Sequence, residues 1–239
     1  MMGSRFAGKT VFITGGGSGI GRGIGEAMAA EGANVVAAGL TLAKTEEVAR
    51  GIQAAGGQAL GVAIDVADSQ SVEAAIGRAI ERFGQIDILV NNAGLSVGDT
   101  ILDFDETAWD RNLDVVLKGI YLCSRQVLPG MIERGSGVIL NVGSVNGLMG
   151  LGESAYSAAK AGMINSRRIW RFITVRKGCE RTASPRARFA RRSGRRWKRN
   201  RRCSITWRGF IPWEESARWP MWYRPRSFSA RTTHRGSPE

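Results

Sequence analysis

Tyr156 and Lys160 stand four residues apart in "AYSAAKAG", the spacing of neighbours on one helix face. An ammonium beside a phenol favours the phenolate, a group that takes and returns a proton in general acid/base work. Ser144 precedes Tyr156 by twelve residues. Its hydroxyl suits a hydrogen bond to a substrate oxygen and the charge that develops there. A Tyr-x-x-x-Lys pair alone is most often a surface pair. Its meaning changes when a second kind of motif lies upstream.

That motif is "TGGGSGIG", Thr14 to Gly21, directly after the apolar run "KTVFIT". Gly15, Gly17, Gly19 and Gly21 let the backbone turn sharply and approach a pyrophosphate, with Ser18 and Ile20 between them. The helix that follows offers free N–H groups and partial positive charge to the anion. A bare glycine-rich turn is the plain alternative; strand before and helix after favour dinucleotide binding. Two further candidates follow later apolar runs. Asp65-Val66 is placed to hold an adenine, with Asp65 accepting from its amino group. "NNAG" contributes Asn92, Ala93 and Gly94 to the same edge.

These residues need a scaffold that gathers them. Short β-branched runs at 9–14, 33–40, 58–66, 86–94 and 137–144 read as strands. Amphipathic stretches at 19–32, 42–57, 69–84 (opened by Ser69) and 107–134 read as helices, and another helix carries Tyr156. Strands alternating with helices predict an α/β fold, a doubly wound parallel sheet of Rossmann type with strand order 3-2-1-4-5. The continuous apolar run of "IDILV" suits a sheet covered on both faces. Ligands of such sheets bind beyond the carboxyl ends of the strands, where every motif above falls.

Taken in order, TGxxxGIG, Asp-Val, NNAG, Ser144 and Tyr-x-x-x-Lys resemble the short-chain dehydrogenase/reductase family over residues 6–165. The resemblance implies NAD or NADP as cofactor and hydride transfer between it and a small alcohol or carbonyl substrate. It implies Tyr156 as proton donor or acceptor, Lys160 as its partner and nicotinamide-ribose ligand, and Ser144 as the substrate-orienting group. It also implies a homodimer or tetramer built through two long helices. Two departures stand out. The family's relay asparagine in a "VNLKG"-like stretch is Val116 here, in "VVLKG", with Asn112 one turn earlier. The end of the second strand, "VVAAGLT", offers Gly39 where the family places an acidic residue for NAD or a nearby basic one for NADP. NAD and NADP therefore both stay open. Val145, Leu148, Met149 and Leu151 form either an apolar pocket wall or ordinary loop packing.

Composition divides the chain. Residues 1–165 carry 12 Lys+Arg against 17 Asp+Glu; residues 166–239 carry 22 against 4. The last 74 residues contain no Leu, yet hold six of the seven Trp and five of the six Pro. Only nine of those residues are Leu, Ile, Val or Phe, a proportion expected of disorder. The expected domains are therefore 1–165, cofactor binding and catalysis, and 166–239, basic and disordered, with the C-terminal strands of the fold lost. That loss leaves strand five as a bare sheet edge and removes the second half of the catalytic helix. The chain as written is then expected to be inactive and poorly soluble. Cys123, Cys179 and Cys203 show no metal or disulfide spacing, so no metal site is expected. The start lacks a signal peptide's apolar run and no long apolar span occurs, so the expected location is the cytoplasm, without membrane contact.

Three origins compete for residues 166–239: a nucleic-acid-binding tail on an inactive scaffold, a disordered linker, or a reading-frame slip. The genetic code favours the slip. Residues 166–190 can be back-translated so that the shifted frame reads "TKNLAIYYGPKGVRTHSIAPGTVR", the continuation the resemblance implies. Some steps leave no choice: Trp197-Lys198 forces Glu, Trp213-Glu214 forces Gly, and Met221-Trp222 forces Val. Nucleic acid is then an unlooked-for partner. The expected outcome of sequencing the gene around codon 165 is a missing nucleotide upstream of the Ser166 codon; an intact frame there refutes the slip.

Overall fold

The computed structural model describes residues 4–98, 100–102, 105–149, 152–176 and 204–209, with side chains described as far as Ser166. The expected strands and helices are present in the expected order. β1 (Thr10–Thr14), β2 (Asn34–Gly39), β3 (Gln58–Ala63), β4 (Ile88–Asn91) and β5 (Ser136–Asn141) alternate with α1 (Gly19–Ala30), α2 (Leu42–Ala54) and α3 (Ser69–Phe83). The strands are parallel in the order β3-β2-β1-β4-β5, and β6 (Ser204–Gly209) continues that order beyond β5.

Alternation along each strand sends side chains to both faces. Val11, Ile13, Val35 and Val90 meet Val48 and Ile52 of α2 on one face. Phe12, Val36, Leu89 and Ile139 meet Ile76 of α3 and Met131 on the other. Two covered faces explain why the strand sequences are apolar at successive positions. The strands stop earlier than their apolar runs suggest. β3 ends at Ala63, β4 at Asn91 and β5 at Asn141. Asp65-Val66, most of NNAG and Ser144 therefore lie in the turns beyond the sheet, where no ladder bond restrains them. Helix α3 is opened by Asp68 rather than Ser69: the Asp68 carboxylate accepts from the Gln70 N–H at 3.0 Å, filling one of the orphan donors of a helix start.

Three further differences are physical. The helix expected over 107–134 is divided into α4 (Glu106–Leu113), a π-helical turn (Asp114–Lys118) and α5 (Gly119–Glu133). Gly119, directly after the wide turn, lies against the turn that follows β3: a Cβ there would stand 2.9 Å from the Val66 side chain. Helix α6 (Ser154–Arg176) does not stop at Asn165, as expected, but stays helical to Arg176. Nor is β5 a bare edge. Backbone from the Arg-rich region, "SITWRG", pairs with it in register from Ser136↔Ser204 to Asn141↔Gly209. β-Branched and aromatic residues in that stretch suit a strand. The remainder of the Arg- and Trp-rich tail, and with it the linker and nucleic-acid readings, lies outside the described residues.

Gly61 in β3 shows how tightly α2 lies on the sheet. A Cβ there would sit 2.6 Å from the Glu46 amide nitrogen and 2.7 Å from the Thr45 carbonyl carbon, both backbone. Backbone cannot step aside as a flexible side chain does, so overpacking falls on the sheet itself. Gly61→Ala is expected to lower stability by about 1–3 kcal/mol, read as a reduced urea midpoint at unchanged slope.

Candidate active site

The glycine turn is built by contact rather than by flexibility alone. Gly15 has φ +65°, a conformation that costs side-chain-bearing residues. A Cβ on Gly21 would collide with the Gly15 carbonyl oxygen and stand 2.6 Å from Asn92 Nδ2. Asn92 donates that amide to the carbonyls of Thr14 (3.0 Å) and Gly15 (3.3 Å). The Thr14 hydroxyl in turn accepts from the Asn92 and Ala93 N–H groups, each at 3.0 Å. The first turn and the NNAG turn are thus one knot. Asn92, expected among the cofactor ligands, holds the turn's shape instead of pointing its amide into the cleft. Thr14 was not among the candidate residues, although its buried hydroxyl ties the two turns; its place at the strand end was the available signal.

An open cleft lies over this knot. Gly15, Gly17, Ser18, Asp65, Val66, Ala93 and Gly94 line it, together with Gly39, Leu40, Thr41 and Lys44. Gly19 begins α1, and Ile20 points outward, 66% exposed. Asp65 is already engaged: its carboxylate accepts from the Ala67 N–H at 2.9 Å and from Arg111 of α4 at 3.1 Å. A carboxylate has acceptor sites beyond two bonds, so an adenine amino group remains compatible with it. The cradle fits a dinucleotide. Gly15, Gly17 and Gly94 line it without side chains, so backbone there can approach a pyrophosphate.

Ser144, Tyr156 and Lys160 gather at the next strand end. Lys160 is 3% exposed, and its Nζ donates to the Val142 carbonyl at 2.7 Å. That bond ties α6 to the chain two residues before Ser144. The Ser144 hydroxyl accepts from the Asn146 N–H at 3.2 Å and starts the short 3-10 turn Val145–Gly147. Gly147 lies on the Lys160 turn of α6, where a Cβ would stand 2.9 Å from the Lys160 carbonyl carbon. Lys160 Nζ lies 5.5 Å from the centre of the Tyr156 ring, within cation–π distance. Burial pushes the Lys160 ammonium down to about 8, because desolvation penalises the charged form.

The family's relay position is apolar. Val116 is fully buried in the π-helical turn. Asn112, also fully buried, donates to the Ala108 carbonyl at 2.8 Å and the Val97 carbonyl at 3.4 Å. It thereby holds the loop after β4, and its Oδ1 has no partner among the described residues. Cys123 is excluded as a nucleophile: it is fully buried, and burial pushes its thiol up to about 12. No metal-ligating cluster occurs among the described residues. Val145, Leu148 and Met149 are 61%, 69% and 47% exposed, so they are not packed loop residues. Leu151 lies outside the described residues.

A parallel sheet of order β3-β2-β1-β4-β5 with helices on both faces and a glycine-lined cleft at its carboxyl edge is a Rossmann-like fold. The family model of the short chain dehydrogenases matches residues 9–178. The chain is 41% identical over 169 residues to cis-4-hydroxycyclohexanecarboxylate dehydrogenase of Sinomonas cyclohexanicum, covering 70% of this chain and 68% of that one. It is 33% identical over 167 residues to the 3-oxoacyl-[acyl-carrier-protein] reductase FabG of Thermotoga maritima, covering 70% and 68%. A crystal structure described as a short-chain dehydrogenase/reductase from Burkholderia xenovorans is 36% identical, with TM-score 0.69, covering 73% of this chain and 72% of that one. The chain belongs to the short-chain dehydrogenase/reductase family and is an oxidoreductase of that type, whose members use NAD or NADP. It spans about two thirds of the length of the curated relatives it matches. No described helix is long and apolar enough to cross a membrane.

The buried ammonium has a stability signature. Lys160 is held down to about 8 from 10.5, so the unfolded chain binds the extra proton between those two values. Stability therefore rises with pH from about 8 to about 10.5, and the burial cost is fully present below 8. Lys160→Met is expected to stabilise the protein at pH 7 by about 1–3 kcal/mol, with the gain shrinking above pH 8. Urea unfolding of both proteins at pH 7, 8.5 and 10 checks it; a gain constant with pH contradicts the assignment.

Proposed function

We propose that the cleft binds NAD or NADP and that Tyr156 is the acid/base of hydride exchange between that cofactor and a small, apolar alcohol or carbonyl compound. The observation that carries this reading is the buried Lys160, fixed by the Val142 carbonyl beside the Tyr156 ring and under the Ser144 loop. When bound, the nicotinamide supplies the hydride acceptor or donor. Gly15, Gly17, Ser18 and the start of α1 receive the pyrophosphate. Gly19, Ile20 and Gly21 shape that helix start, and Val66, Ala93 and Gly94 wall the adenosine side, where Asp65 accepts from the adenine. Asn92 acts through the turn it braces. The Tyr156 hydroxyl gives its proton to the oxygen of a carbonyl substrate, or takes it from an alcohol. The Lys160 ammonium stands beside the Tyr156 ring, and Ser144 donates to the same substrate oxygen. Exposed Val145, Leu148 and Met149 offer the substrate an apolar wall. At the adenosine end no carboxylate follows β2, while Lys44 lines the cleft. NADP is thus admitted without repulsion, its phosphate meeting the Lys44 ammonium.

Residues 166–239 we read as an out-of-frame continuation, so the 239-residue chain retains the cofactor cleft and lacks turnover. The family match ends at residue 178 and leaves the rest of that stretch unmatched, which supports this. Oligomers through the long helices belong to the restored chain in this reading. The test compares the 239-residue chain with one whose frame is restored after Asn165. Both are expected to bind NADPH, and only the restored chain to oxidise it with apolar ketones. Tyr156→Phe in the restored chain is expected to keep NADPH affinity and lose about 10²–10⁴-fold in kcat. Robust turnover by the 239-residue chain overturns the out-of-frame reading. Failure of both chains to bind either NADH or NADPH overturns the cofactor assignment.

A further inference from the structure

Glu153 lies three residues before Tyr156 and is the one non-glycine with positive φ, +50°, among the described residues. A side-chain-bearing residue stays in the left-handed region only where its surroundings hold it there. Its carboxylate supplies that hold. One oxygen accepts from the Ser96 hydroxyl at 2.5 Å, the other from the Asn146 side-chain amide at 2.6 Å. Both are short, charge-assisted bonds, the stronger kind. They span 57 and 7 residues of sequence, so they join segments that the backbone alone does not bring together.

The two segments are the walls of the site. Ser96 follows the NNAG turn, whose Ala93 and Gly94 line the cofactor cleft. Asn146 belongs to the 3-10 turn opened by Ser144, and its backbone N–H is the donor to the Ser144 hydroxyl. Glu153 itself stands at the head of α6, where its carbonyl accepts from the Ser157 N–H at 2.8 Å. One carboxylate therefore connects the cofactor loop, the Ser144 loop and the helix carrying Tyr156 and Lys160.

We propose that Glu153 is a positioning residue, a carboxylate clasp that closes the cofactor loop onto the Ser144 loop and sets Ser144 and Tyr156 against the nicotinamide end of the cleft. It touches neither substrate nor cofactor in this role, which rests on the reading of the cleft given above. Glutamine preserves the clasp without charge: its Oε1 accepts from Asn146 and its Nε2 donates to the Ser96 oxygen. Alanine removes both bonds.

The test uses the full 239-residue chain, with amide hydrogen exchange followed in peptides over 92–98, 144–149 and 154–158, and NADPH titrated by its fluorescence. Glu153→Ala is expected to speed exchange about tenfold in both loop segments and to weaken NADPH severalfold. Glu153→Gln is expected to restore both readouts to near the parent values. Ser96→Ala, at an exposed residue that poses no folding risk, loosens 92–98 and leaves 144–149 unchanged. Exchange altered only over 154–158 in Glu153→Ala reduces the residue to a helix-start role and overturns the proposal. So does Glu153→Gln behaving like Glu153→Ala, or Ser96→Ala leaving 92–98 unaffected. Should the alanine variant fail to fold, Ser96→Ala decides by itself. A parent chain that binds neither NADH nor NADPH sinks the cofactor reading, while the exchange rates still judge the clasp.

Discussion

An ammonium taken out of water must find compensation, and at Lys160 the compensation is the carbonyl of Val142, 2.7 Å away. Much of the architecture serves that meeting. β5 must end at Asn141 so that Val142 turns its carbonyl out of the ladder toward α6. α6 must cross the strand end at the Lys160 turn, and Gly147 lets the intervening loop lie flat on it. The same placement puts Tyr156 one turn earlier, at the mouth of the site, with its ring beside the charge. Burial thus does two things at once. It destabilises the fold and keeps an ammonium in reach of a phenol, a conflict common where function and stability compete.

The second constraint is the knot at the end of β1. Thr14, Gly15, Gly21 and Asn92 occupy so little space that two turns from distant parts of the chain share one set of hydrogen bonds. A dinucleotide cradle needs backbone N–H groups facing outward. In this turn the Thr14 and Gly15 carbonyls are satisfied from behind by the Asn92 amide. The cofactor cleft and the proton-transfer group are therefore not separate sites placed side by side. They are consecutive strand ends of one parallel sheet, and the loops that follow β4 and β5 meet over them.

Residues 166–239 put a limit on what local sequence can say. Their composition argues against a packed core, yet helix α6 runs on through Arg176 and the backbone of Ser204–Gly209 adds to the sheet. A helix once nucleated and packed on its first turns extends through residues of adequate propensity. A parallel edge strand recruits backbone, which every sequence possesses, so pairing with β5 asks little of the side chains involved. Conversely, the missing asparagine of the relay position is a true local difference. Val116 closes that place with an apolar side chain, and Asn112 spends its amide on Ala108 and Val97.

Sequence by itself determined the strand order and singled out the glycine turn and the grouping of Ser144, Tyr156 and Lys160, because each rests on a short-range rule: periodicity, the glycine turn at a strand end, and i,i+4 spacing on a helix. It also carried the oxidoreductase class, since those motifs in that order admit few other chemistries. Only the tertiary structure decided that Asn92 braces rather than reaches, that Thr14 binds two turns, and that α4 and α5 are parted by a π-helical turn. It alone brought Ser96 and Asn146 to one carboxylate. The physical reason is distance along the chain. A hydrogen bond between residues 57 or 78 positions apart leaves no periodic trace in sequence. Its partners are ordinary serines, threonines and asparagines until the sheet sets their turns side by side.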